Sequence, residues 1–206
     1  MKTIIFATQN QGKVREVREI LQGYQVLTMG DVGLDLSIDE NGTSFTENAI
    51  IKAKAVYDAL KLLPDCPEFS YVCADDSGLE IDYFDKKPGI YSSRWLGEDT
   101  TYDVKNAIVL RDMEGVPEEK RTARYVCAIA AVDEKGQVQT VLETAEGLIG
   151  HAPSGNGGFG YDPIFVFPGM GSFADLTPDQ KNAVSHRGKA LRSMFALLEG
   201  VQNFAR

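Results

Sequence analysis

The apolar positions of this chain switch between two periods, and the switches mark out its elements. Lys2 to Ala7 is a short, nearly continuous apolar run that predicts a buried strand, and Lys13 to Leu21 then puts Val14, Val17, Ile20 and Leu21 on one helical face. Gly23 follows where a left-handed residue is expected to close the helix, and Tyr24 to Thr28 predicts a second strand. Asp31 to Thr43 is polar and predicts a loop. Ser44-Phe45-Thr46-Glu47 fits a capping box, and Ala49, Ala53, Val56, Leu60 and Leu63 keep helical spacing until Pro64. Tyr71 to Ala74 predicts a brief strand that stops at Asp75-Asp76-Ser77-Gly78, leaving two carboxylates at its end. Thr101 to Met113 reads as a helix. Ala123 to Val132 and Val138 to Ile149 read as paired strands, with Asp133-Glu134-Lys135-Gly136 as their hairpin turn. Pro163 to Phe167 predicts another strand, and a last helix from near Ser185 buries Leu191, Met194, Phe195 and Leu198.

This alternation, without internal repeat or linker, predicts one α/β domain over residues 1–206, a mixed sheet with helices on its faces. With 43% hydrophobic and 25% charged residues, the chain can build a sizeable core. A formal net charge of -9 disfavours binding a nucleic-acid polymer through a broad basic surface, so any phosphate ligand must be held by a few focused cations. The opening apolar run is too short for a signal peptide and no stretch is long enough to span a membrane, which predicts a cytoplasmic protein. Cys66, Cys73 and Cys127 form no CxxC pair, which argues against a disulfide framework and a zinc site.

Four strings could carry chemistry. Thr8-Gln9-Asn10-Gln11-Gly12-Lys13 joins a strand to a helix start, where backbone N–H groups and the Lys13 charge attract anions; it is a polar turn or a phosphate cradle, and it lacks the spacing of a Walker loop. Asp75-Asp76, with Asp39 and Glu40 upstream, offers hard oxygen ligands for Mg²⁺ or a base for water, or else a plain turn. Gly157-Gly158-Phe159-Gly160-Tyr161-Asp162-Pro163 lets backbone approach a ligand and offers Phe159 or Tyr161 as an aromatic face for a base. Lys181 to Lys189 gathers cations and His186 at a helix start, where they oppose the dipole.

Together these strings resemble the inosine triphosphate pyrophosphatases, the Ham1-like family that acts on non-canonical purine nucleoside triphosphates. The resemblance runs nearly end to end. Its most specific parts are Ala74-Asp75-Asp76-Ser77-Gly78-Leu79 with Pro88-Gly89-Ile90-Tyr91-Ser92-Ser93-Arg94, Gly158 to Phe165, and Lys181-Asn182-Ala183-Val184-Ser185-His186-Arg187-Gly188. It implies a central mixed, twisted β-sheet with flanking helices, two lobes enclosing a nucleotide cleft, and a homodimer. It implies Mg²⁺-dependent hydrolysis of ITP, dITP and XTP to the monophosphate and pyrophosphate, which cleanses the nucleotide pool. Thr8, Gln9, Asn10, Gln11, Gly12, Lys13 and Lys52 then match the phosphate contacts, and Asp76 the general base and a metal carboxylate. Ser77, Phe159, Gly160, Tyr161, Asp162, Lys181, His186 and Arg187 match nucleotide-binding positions, with Phe159 stacking on the purine. Glu40 is preferred over Asp39 as the second metal carboxylate. The family commonly has Thr-Gly-Asn where this chain has Thr8-Gln9-Asn10. A rival reading is a Maf-like pyrophosphatase for pyrimidine or modified nucleotides, against which Ser185-His186-Arg187 speaks; another is a nucleotide sensor without catalysis, against which Asp76 and Lys13 speak.

Overall fold

The computed structural model describes residues 2–97 and 99–200. β1 (Lys2–Phe6) pairs in parallel with β2 (Tyr24–Thr28), Lys2 opposite Tyr24, and with β3 (Tyr71–Ile81), Ile4 opposite Tyr71. Parallel neighbours need crossovers, which α1 (Gln11–Ile20) and α2 (Phe45–Lys61) supply. Next come β4 (Lys87–Pro88), α3 (Tyr102–Asp112), β5 (Thr122–Asp133) and β6 (Val138–Ile149). β7 (Phe165–Phe167), β8 (Gly171–Ser172), α4 (Pro178–Val184) and α5 (His186–Leu198) complete the order. The sheet has eight strands in the order β2-β1-β3-β5-β6-β7-β8, with β4 on β3, and the β3/β4, β6/β7 and β7/β8 pairs are antiparallel. This is the mixed α/β sheet that the alternation predicts. No described helix is long and apolar enough to cross a membrane.

The chain divides into two compact units. The first runs to Asp76 and adds Cys127–Glu143 and the chain from Gly188; the second is Ser77–Val126 with Thr144–Arg187. The core of the first is Ile4, Phe6, Val17, Leu21, Val26, Cys73, Cys127, Ile129, Leu191, Met194 and their neighbours. Each such large side chain removed from water contributes roughly 1.5–3 kcal/mol. Cys73 and Cys127 are wholly buried there, and burial pushes the Cys73 thiol up to about 12, whereas Cys66 is exposed. The core of the second unit is Leu79, Ile81, Val109, Met113, Tyr125, Tyr161, Phe165, Phe173 and their neighbours. Arg121, only 2% exposed, closes it: Nε donates to Ile149 O at 2.7 Å, Nη1 to Met113 O at 2.6 Å and Val116 O at 3.5 Å, and Nη2 to Gly150 O at 2.6 Å.

Several boundaries differ from the sequence pattern. β3 does not stop at Asp75 but continues through Asp75-Asp76-Ser77-Gly78 to Ile81, because partners elsewhere in the fold satisfy the polar side chains and β4 pairs with its far end. Gly23 is not left-handed; α1 is capped by Leu21, with φ -99° and ψ 47°. Ser44 caps α2 by accepting from Glu47 N, but the Glu47 carboxylate reaches Thr43 N and Oγ1. The strand expected from Pro163 begins at Phe165, preceded by a 3-10 turn over Asp162–Ile164. Ser185, with extended backbone, separates α4 from α5, so Lys181 lies in the last turn of α4, where the dipole favours a cation; His186 and Arg187 open α5.

Candidate active site

Thr8 to Lys13 joins β1 to α1. Asn10 is the N-cap: its Oδ1 accepts from Gly12 N at 2.9 Å and Lys13 N at 3.2 Å, while Thr8 Oγ1 accepts from Asn10 N at 3.2 Å. A helix start leaves its first N–H groups unpaired, and Asn10 satisfies part of that set. The first turn carries no acidic residue, so no side chain of that turn offsets the positive end of the dipole. Gln9 and Gln11 are exposed, and Gln9 lies outside the left-handed region, so the turn forms without a glycine at that position.

The two carboxylates of β3 have different partners, as expected where neighbouring strand residues point to opposite faces. Lys13 Nζ lies 3.0 Å from both Asp75 oxygens. Asp76 Oδ2 accepts from Asn48 Nδ2 at 3.1 Å, and its Oδ1 accepts from Lys52 Nζ at 3.4 Å. Lys52 Nζ also donates to Glu40 Oε2 at 2.8 Å, so one ammonium serves two carboxylates. Asp39 is exposed. Burial drives the Asp76 carboxyl above its ordinary range, and the nearby Glu40 charge adds to that, against Lys52, Lys13 and Asn48. Burial alone would depress the Lys52 ammonium, yet Asp76, Asp75 and Glu40 hold it above its ordinary value. A buried carboxylate of raised basicity beside fixed cations can take a proton from water.

The second unit holds a different cluster. Asp162 is buried: its Oδ1 accepts from the Tyr125 hydroxyl at 3.1 Å, and its Oδ2 accepts from Phe159 N at 2.8 Å and Lys181 Nζ at 2.7 Å. Gly158 has φ +70°, and a Cβ there would lie 2.2 Å from Asp162 Oδ2, so glycine is required on both counts. Lys181 Nζ sits 4.7 Å and Arg187 Cζ 5.5 Å from the centre of the Phe159 ring. Arg187 Nη2 donates to Ser77 Oγ at 2.9 Å, and His186 stacks on Tyr125 at 4.5 Å with 7° between the planes. Burial, then Asp162, raises the Tyr125 hydroxyl well above its ordinary value, so it stays a donor. An aromatic ring bordered by two cations, beside a carboxylate held by Phe159 N and by Lys181, can hold a flat, oxygen-bearing base.

The fold therefore brings Lys13 to Asp75, and Glu40 and Lys52 to Asp76; within the other unit it gathers Ser77, Phe159, Asp162, Lys181, His186 and Arg187. Asp76 and Ser77 are consecutive residues of β3. Tyr161 does not offer an open face: it is 2% exposed, its hydroxyl donates to Ser92 O at 3.0 Å, and its ring meets Tyr102 edge-on. Gly160 contributes its carbonyl to Asn106. Asn48, Tyr125, Lys105 and Asn106 carried no assigned role in the sequence reading. For the helical ones a signal was present, because Asn48 and Lys52 lie in the buried stripe of α2, and Lys105 and Asn106 in that of α3. Polar residues at core positions need partners and mark places to look.

A model of the Ham1 family matches residues 4–197. The chain is 40% identical over 205 residues to a dITP/XTP pyrophosphatase of Clostridium perfringens, covering 98% of this chain and 99% of that one. It is 43% identical over 202 residues to a dITP/XTP pyrophosphatase of Bacillus subtilis, covering 97% and 98%. Among solved structures, the Ham1 protein of Staphylococcus aureus superposes with a TM-score of 0.82 at 34% identity, covering 97% of this chain and 99% of that one. A HAM1 protein from Coxiella burnetii gives 0.83 at 34% identity, covering 98% and 100%.

Proposed function

The chain belongs to the Ham1 family, and from that premise we propose that it hydrolyses ITP, dITP and XTP to the monophosphate and pyrophosphate, with Mg²⁺, and so cleanses the nucleotide pool. It is a nucleoside-triphosphate pyrophosphatase. The observation that carries the reading is the Asp76 cluster: a buried carboxylate of raised basicity, braced by Asn48 and by a lysine that it shares with Glu40. The named relatives are dITP/XTP pyrophosphatases, and nothing in the comparisons favours the Maf-like alternative. The protein acts as one functional domain in the cytoplasm, as a homodimer, without a nucleic-acid polymer or membrane as partner.

The donor set fits the cation. Asp76 and Glu40 converge on one point of positive charge, and Mg²⁺ is usually bound by one or two carboxylates, with water and substrate phosphate filling its shell. Bound there, the ion would neutralise phosphate charge and polarise the reacting phosphoryl oxygens. The chain's own groups do the rest. Asp76 orients the attacking water and accepts its proton as the water oxygen bonds to the α-phosphorus; the bond from that phosphorus to the bridging oxygen breaks, and pyrophosphate leaves. Lys13, Lys52 and the start of α1 stabilise the leaving charge. Phe159 stacks on the purine, and His186 and Arg187 donate to its 6-oxo group, which adenine replaces with a donor. The direct test is product analysis with a panel of triphosphates and Mg²⁺. Pyrophosphate from ITP but not from ATP supports the reading; orthophosphate from ITP overturns it.

Arg187→Ala tests the base contact. Loss of a buried, charge-assisted donor is expected to cost roughly 1–3 kcal/mol in kcat/KM for ITP and less for ATP. The ratio of the two kcat/KM values should narrow, with circular dichroism unchanged. An equal fall for both nucleotides would assign Arg187 to the phosphates or to the fold.

A further inference from the structure

We propose that Asn106 is a positioning residue for the purine: it fixes the Gly160–Tyr161 peptide, one residue beyond Phe159, and thereby sets the ring on which the base stacks. The inference rests on the assignment of Phe159 to the base.

α3 turns two adjacent polar side chains inward, Lys105 and Asn106, at 0% and 5% exposure. Lys105 Nζ donates to Ser93 O at 2.5 Å, and Asn106 Nδ2 donates to Gly160 O at 3.1 Å. Tyr102, one turn earlier, meets the Tyr161 ring edge-on at 5.2 Å, and the Tyr161 hydroxyl bonds Ser92 O. One helix therefore holds two loops, the Ser92-Ser93 turn and the Phe159-Gly160-Tyr161 turn. Gly160 takes φ +71°, a backbone state available to glycine at little cost. On one side of the Phe159 side chain, Asp162 Oδ2 holds its N–H; on the other, Asn106 holds the carbonyl of Gly160. With both sides tied, the ring is set before a base arrives, which lowers the ordering cost of binding.

Packing alone does not explain this asparagine. Among the described residues nothing donates to its Oδ1, although that atom is buried. A buried amide with one end unsatisfied weakens a fold, and leucine would fill the same space without that cost. What asparagine supplies and leucine lacks is the N–H that the Gly160 carbonyl receives.

The test uses Asn106→Leu and Asn106→Asp, which both remove the donor but differ in polarity. Measured against wild type are kcat and KM for ITP, the inhibition constant of tripolyphosphate, which has the phosphates and no base, and the urea midpoint. KM for ITP is expected to rise about tenfold in both variants, with kcat within about twofold and tripolyphosphate inhibition unchanged. An unchanged KM overturns the proposal, as does a parallel rise for tripolyphosphate. Failure of both variants to fold also overturns it, because the role would then be structural. If wild type releases no pyrophosphate from ITP, the proposed function itself fails, which the first assay of the series reveals separately.

Discussion

Asp76→Asn is expected to lower kcat for ITP by a factor of about 100 or more while leaving the urea midpoint almost unchanged. Asparagine has the shape of aspartate and can still accept from Asn48, and Lys52 keeps Glu40 as a partner, so the local bonds survive. What is lost is the ability to take a proton. Burial is the first cause of the raised Asp76 basicity, so the carboxylate is held where ionisation is costly, an arrangement that hinders a purely structural ion pair and helps a base. The charge count also separates this role from binding. Lys13 and Lys52 face Asp75, Asp76 and Glu40, and asparagine removes one of the negative charges, so attraction for a polyanion should not fall. The check is the initial rate of pyrophosphate release at saturating ITP. A folded variant with near-normal kcat would remove Asp76 from the chemistry.

Arg121→Met is the second large effect, and it concerns folding. The four acceptors around the guanidinium are all backbone carbonyls, so methionine would leave Ile149, Gly150, Met113 and Val116 oxygens without that donor inside the second unit. Burial lowers the Arg121 pKa, as expected for a cation whose acceptors are carbonyls instead of a carboxylate. Met113 ends α3, so the guanidinium also meets the negative end of that helix dipole. Unsatisfied buried acceptors cost about 1–3 kcal/mol each, and a combined loss of roughly 3–5 kcal/mol is expected, a large part of ordinary domain stability. Urea unfolding of wild type and variant measures it directly. A difference below about 1 kcal/mol would mean that the carbonyls find other donors.

Much of the fold was legible because apolar period is a local property. The exposed and buried faces of α2 and the extents of β2 and β6 follow from spacing alone. β3 was not legible past Ala74, since Asp-Asp-Ser-Gly has the composition of a turn, and residues distant in sequence, among them Lys13, Asn48, Lys52 and Arg187, hold its polar side chains inside a sheet. The same limit applies to Lys181. Its neighbours suggested a cation at a helix start, but Ser185 interrupts the helix and places it at a helix end. The family resemblance named the candidate residues; it did not pair them. Glu40 was already preferred over Asp39, and Phe159 already assigned to the purine; that Lys52 joins Glu40 to Asp76, and that the Tyr161 ring is buried against Tyr102, depend on the fold, which no single-residue pattern encodes.

The cysteines turn the core into a reporter. Cys66 is exposed, while Cys73 and Cys127 lie wholly buried on β3 and β5 in the first unit, so a thiol reagent should label the native chain once at speed and twice more only as fast as that unit opens. Both strands continue into the second unit, where Arg121 acts. Labelling of Arg121→Met thus asks whether damage in one unit is felt in the other. Two slow thiols that accelerate with the loss of global stability mean one cooperative melt, and slow thiols that keep the wild-type rate mean that the halves open separately.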